Sequence, residues 1–279
     1  MKYFNNNAFI LGALMFVCIF LSNMFYCLLC WLYKIKIVEF SIFFNPWFSI
    51  HKETIMGTKF SLGWLPLGGF IKPLGMDENE EEKIKFSKDD LPFAFFTKPN
   101  YLRAVFSIVP LFIYFLVFII SLILFSGVNA MAADFRIILE YIIKAFETMF
   151  NFINRDIFIS STMNIVETKN IVLFAFILLM LIYISLTPIT HIMNWFSHEK
   201  KVKYKIQKVV GFCFTVSFIW LLVWKIPMFV FSFFSFSQNL LYVLSFFAGL
   251  FSVGLVCYFS TLFVVKNISQ KINKYKNLK

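Results

Sequence analysis

The sequence predicts an α-helical polytopic membrane protein, with about five transmembrane helices and a small membrane-associated β-element after the first. Three observations carry that prediction. Apolar residues make up 60% of the 279, and mean hydropathy is +0.78, well above the roughly 45–50% apolar content of soluble domains. Five stretches, about 8–33, 102–128, 171–190, 208–230 and 239–265, reach the ~20 apolar residues that cross a bilayer. Basic residues also alternate between the connections: of the 26, twenty fall after the first stretch, after the third, or in the tail.

The first stretch is expected to remain as a span. Met1-Lys2 is a weak basic start, the run is longer than the ~7–15 residues of a signal-peptide core, and no small-x-small cleavage site closes it before Trp31-Leu32-Tyr33-Lys34. Lys- and Arg-rich connections stay in the cytoplasm, so the N-terminus is expected outside and the C-terminus inside. The net charge of +11 is then largely a topology signal, with membrane lipids, anionic headgroups above all, as its partner. Because these charges are divided among connections and form no single stripe, nucleic acid is not expected as a partner. All five cysteines (Cys18, Cys27, Cys30, Cys213 and Cys257) fall in expected spans and their number is odd, so they form no disulfide framework.

Between the first two spans, 37–72 reads as a small antiparallel β-element. Val38–Phe44 is β-branched and aromatic, Trp47–Lys52 follows a proline, and Lys59–Leu65 follows the breaker-rich Glu53-Thr54-Ile55-Met56-Gly57. Its aromatic residues place it at the membrane interface. Gly68-Gly69, between Pro66 and Pro73, forces an irregular turn. The acidic run Asp77-Glu78-Asn79-Glu80-Glu81-Glu82 reads as a solvated loop. On the outer side, polar residues from Arg136 to Arg155 recur every three or four positions, predicting an amphipathic helix over about 135–155 capped by Asp134. No internal repeat is found.

Four segments carry a family resemblance, one of them Phe95-Phe96-Thr97-Lys98 with Arg103, similar to an F-x-x-K…R entry to the second span. Gly57–Gly75, GTKFSLGWLPLGGFIKPLG, is close to G-T-x-[FY]-x-x-x-x-[IL]-P-L-G-G-[YF]-[VI]-K-x-x-G. Upstream, Ile35–Pro46 is similar to I-K-V-x-x-F-S-I-G-F-G-P, with Phe43 and Asn45 in place of two glycines. Downstream, Ser185-Leu186-Thr187-Pro188-Ile189 falls where N-L-L-P-I-P-x-L-D-G is expected. The chain thus resembles the site-2 proteases, intramembrane zinc metalloproteases of the M50 class. The resemblance covers most of 8–225 and implies a membrane core over 1–230, with 231–279 as an additional C-terminal span and basic tail. The roughly forty residues between the second and third spans leave no room for the family's PDZ domain.

What the resemblance implies about the catalytic site is that it has been lost. The family's H-E-x-x-H begins seventeen residues before the acidic residue of its β-element, and counting back from Glu39 reaches Ser22. Ser22, Asn23 and Tyr26 then occupy the places of the first His ligand, the Glu base and the second His ligand, and Met193 that of the third ligand, Asp. Hydroxyls and a thioether are poor ligands for a catalytic zinc, and an amide accepts no proton from the attacking water. The remaining histidines, His51, His191 and His198, lack spaced carboxylate partners, Glu53 and Glu199 reading as solvated. No metal or other cofactor is expected.

The resulting expectation is a catalytically inactive, site-2-protease-like protein of the bacterial inner membrane that binds or scaffolds another integral membrane protein. The β-element residues Phe40, Ser41, Ile42, Pro66, Leu67, Gly68 and Gly69 are the expected partner-binding edge, since such an edge pairs with an extended segment. The alternatives are an active metalloprotease with a rearranged site and a structural or channel subunit of a larger complex.

Overall fold

The computed structural model describes residues 5–76, 90–154, 156–160, 170–182 and 236–276, with single positions between 184 and 225. Three helices are long and apolar enough to cross a membrane. They are α1 (Asn6–Leu32), α2 (Asn100–Ser126) and the stretch Leu240–Ile272 within the C-terminal helix. Two strands follow α1: β1 (Ile37–Ile55) and β2 (Thr58–Pro73). Between α2 and the C-terminal helix lie α3 (Met131–Met149) and the short apolar α4 (Ile171–Ile182); the C-terminal helix, α5, is continuous over Phe236–Lys276. The expected third span is described only in its first part. Most of the expected fourth, 208–230, lies outside the described residues, as do 77–82 and 185–200.

The chain forms two compact units, one of which joins Ala8–Tyr114 to Ser245–Lys279. In it, β1 and β2 are each bent into two arms, which lie in the order 69–73, 37–42, 58–63, 49–55. Neighbouring arms are antiparallel except the central two, which run in the same direction, with Glu39 beside Lys59 and Ile42 beside Leu62. A two-residue turn, Met56-Gly57, joins Ile55 to Thr58 with positive φ at both residues (52° and 78°), the backbone of a tight hairpin. Glu53-Thr54-Ile55, read from sequence as breakers, are therefore strand.

The sheet does not rest at the ends of the helices. Its bend reaches their middle, where the Phe43 ring meets Phe16 of α1 edge-on at 5.3 Å and stacks on Phe251 of α5 at 5.3 Å. Phe43 is fully buried and has φ 65°, a left-handed conformation costing roughly 1–2 kcal/mol for a residue with a Cβ. Its ring seats on Gly254, where any Cβ would overlap it. The packing of this ring offsets the backbone strain.

Gly12 and Gly249 set the distance between α1 and α5. A Cβ on Gly12 would overlap the Phe246 carbonyl, and one on Gly249 the Phe9 carbonyl. Ala8 and Gly12 on α1, and Ser245 and Gly249 on α5, are small residues four apart, the pattern by which helix backbones approach closely in membranes. Beyond this crossing α5 is tied to the sheet. The fully buried Tyr258 pairs its hydroxyl with His51 Nδ1 at 2.8 Å and lies 3.5 Å from the Phe60 carbonyl; Lys266 pairs with Glu53 at 2.8 Å. Glu53, read from sequence as solvated, is thus engaged.

Tyr258→Phe is expected to destabilise this unit by about 1–2 kcal/mol, because it strands the His51 nitrogen. Lys266→Gln, breaking a largely exposed pair, is expected to cost less than about 1 kcal/mol. Thermal unfolding in detergent orders the two.

The second unit contains residues 115–244 with 1–7. Here α3 buries Asp134, Ile138 and Met149, while Tyr141 packs against Phe158 and Phe174. The helix begins at Met131, so Asp134 lies inside its first turn and Ala130 is the cap. A carboxylate there still complements the helix dipole. The C-terminus closes when Asn151, with φ 62°, lets Phe152 N–H donate to the Glu147 carbonyl at 2.7 Å, a left-handed cap. The helix accordingly ends before 155. In a similar departure, Lys266 to Lys276, read as a tail, continue α5.

Candidate functional site

The functional question centres on α1 at Ser22, Asn23 and Tyr26, and on the sheet beside it. Ser22 is 3% exposed, packed within the unit. Tyr26, one turn on, sets its ring edge-on against Phe106 of α2 at 4.9 Å. Together with Cys30, Ile35 and Leu102, Phe106 forms a small buried cluster against which Tyr26 packs. Asn23 points to the sheet: a Cβ built on Gly69 would stand 3.2 Å from its Nδ2. Tyr26 is therefore engaged in helix–helix packing and Asn23 lies against the sheet, while Ser22 is buried. Met193, His191 and His198 lie outside the described residues.

Of the expected binding residues, the structure separates two groups. Phe40, Ser41 and Ile42 belong to a central arm paired on both sides, with 69–71 and with 60–62, and all three are buried. They cannot be an edge. The reason is that 58–63 inserts beside 37–42 after the hairpin, filling the side that a simple meander leaves open. Ser41 instead braces the bend, its hydroxyl donating to the Phe43 carbonyl at 3.0 Å. Pro66, Leu67, Gly68 and Gly69 lead into the arm 69–73, which pairs only with 37–42 among the described residues. Gly68 has φ 89° with open space where a Cβ would stand, so the constraint there is backbone conformation and not room.

The second outer arm, 49–55, is the one α5 clamps through His51 and Glu53. At the foot of the sheet, Leu74 N–H donates to the Lys36 carbonyl at 2.8 Å and Phe95 N–H to the Leu74 carbonyl at 2.7 Å, while Lys36 meets Asp90 at 2.9 Å. Glu39 accepts from Lys59 at 2.7 Å and from Ser61 at 3.3 Å. These pairs use carboxylates and cations structurally. Among the described residues, no group of three His, Cys, Asp or Glu side chains converges as a metal site would require.

Sequence reasoning noted Phe43 only as a replacement for a glycine and missed its packing role, along with Tyr258 and the glycines of α1 and α5. The small residues four apart were legible in each helix, but acquire meaning only once the two helices are known to face one another. No protein-family model and no curated protein matches this chain.

Proposed function

We propose that this protein is a catalytically inactive, site-2-protease-like membrane protein that holds an extended segment of another integral membrane protein along the 69–73 arm. One observation carries the reading: that arm lies beside α1 at Asn23, roughly 14 Å along the helix from Leu32 at 1.5 Å per residue. At this depth unpaired backbone groups cost several kcal/mol each. A partner strand satisfies them by adding to the edge. On the same stretch of α1, where the resemblance places ligands and base, stand Ser22, Asn23 and Tyr26, none suited to zinc or to general-base chemistry.

Purified protein is expected to contain no stoichiometric zinc and to cleave no transmembrane peptide. One equivalent of zinc that disappears in His191→Ala or His198→Ala would replace this reading with the rearranged metalloprotease.

The proposed setting is the bacterial inner membrane, with the N-terminus outside, the C-terminus in the cytoplasm and five spans. The packing of α1 and α5 supports the parity. Gly12 lies against Phe246 and Leu250, while Met24 and Ser260 border one cleft, so the helices run in the same direction. Two parallel spans require an odd number of crossings between them. Lys83→Cys and Lys144→Cys are expected to label from opposite sides, above the background of the native thiols; labelling from one side contradicts the assignment.

A further inference from the structure

From the shape of one cleft we infer a bound phospholipid, with a single acyl chain between α1, the sheet and α5 and an anionic headgroup at the foot of the sheet. The helices touch at Gly12 and Gly249 and diverge below, and the Phe43 ring on Gly254 closes the upper end. Beneath it lies a cleft of about 540 Å³, walled by Met24 and Cys27 from α1, Phe40 and Phe60 from the sheet, and Cys257 and Val264 from α5. Its wall is apolar. Thr58 and Thr261 spend their hydroxyls on the Ile37 carbonyl at 2.8 Å and the Cys257 carbonyl at 2.7 Å.

Depth identifies the occupant. Along α5 the cleft runs from Val256 to Val265, about 14 Å of helix, which matches half of a ~30 Å hydrocarbon core. A spanning helix of another protein would have to continue past the crossing, where the α1 and α5 backbones meet. An acyl chain of one leaflet ends there.

Charge identifies the headgroup. The lower lining residues Ile37, Thr58 and Val265 adjoin Lys36, Lys59 and Lys266, which are paired with Asp90, Glu39 and Glu53. Lys34, Lys271 and Lys274 add positive charge at the same end with no carboxylate partner among the described residues. A phosphate-bearing anionic headgroup complements that excess.

The test uses the full chain reconstituted in vesicles of phosphatidylglycerol or of phosphatidylcholine, extracted in mild detergent and weighed by native mass spectrometry. One phosphatidylglycerol per chain is expected, retained at least about fivefold better than phosphatidylcholine, the selectivity of one lysine or more. Cys257→Trp, which fills the cleft, is expected to lose it. In unaltered protein, N-ethylmaleimide is expected to modify Cys27 and Cys257 only after exhaustive delipidation, a readout that stands if the tryptophan variant fails to fold. Absence of retained lipid, equal retention by a folded Cys257→Trp, or thiols equally reactive before delipidation would overturn the site. Equal retention of the two lipids would overturn the headgroup assignment, and crosslinking of Cys257 to a polypeptide in membranes would replace the lipid with a protein partner.

Discussion

Gly249→Leu is expected to abolish the folded unit built on α1, the sheet and α5. Even a Cβ at this position overlaps the Phe9 carbonyl, and one on Gly12 overlaps the Phe246 carbonyl. Overpacking a yielding side chain costs typically ~1–3 kcal/mol; here the obstacle is helix backbone, so the helices themselves must part. Separation would unseat Phe43 from Gly254 and withdraw Tyr258 from His51, because both contacts depend on where α5 stands. Gly249→Ala is expected to cost at least about 2 kcal/mol, whereas Leu244→Ile at an exposed site stays within about 0.5 kcal/mol. The yield of monodisperse protein and its unfolding temperature in detergent measure the series. A wild-type profile for Gly249→Leu would show that α1 and α5 do not cross there.

The second large effect is expected at Phe43, and its order is unusual. Removing the ring empties the space between Phe16, Phe251 and Gly254, a loss of about 3–5 kcal/mol for a buried aromatic. The left-handed backbone of Phe43 subdivides that loss. Phe43→Ala keeps a Cβ and therefore the strain, whereas Phe43→Gly relieves roughly 1–2 kcal/mol of it. Glycine is thus expected to be the milder of the two truncations, by about 1 kcal/mol. If alanine is the milder, the bend does not hold positive φ and the ring contacts alone explain the site.

Much of the helical skeleton was legible because a long apolar run has few meanings in a bilayer. The boundaries of α1 and α2 differ from the expected ones by about two residues, a shift typical of frayed helix ends. The β-element was legible in position but not in arrangement. Pairing of 39–42 with 59–62 joins two arms that are not consecutive in sequence, and no local pattern announces it. The expected edge at Phe40–Ile42 failed for that reason, while Gly69 is the first residue of the outer arm. Depth was hidden as well: exposed Trp47 and Phe48 suit an interface, yet Phe43, a few residues away, reaches the middle of α1. Ser22, Asn23 and Tyr26 could be read only through spacing to Glu39, and the packing of Tyr26 against Phe106 and of Asn23 beside Gly69 could not be read at all.

The most direct test of the proposed function is photo-crosslinking in native membranes from single positions on the two outer arms. A photoreactive residue is placed at Phe70 or Ile71 on the 69–73 arm, and at Ile50 or Thr54 on the arm held by α5. Partner binding along the 69–73 arm predicts that the first pair yields one discrete adduct with another membrane protein and that Gly68→Val, strained at φ 89°, diminishes it, while the second pair yields none. Adducts from Ile50 or Thr54 that persist in Gly68→Val, with none from Phe70 or Ile71, would contradict it.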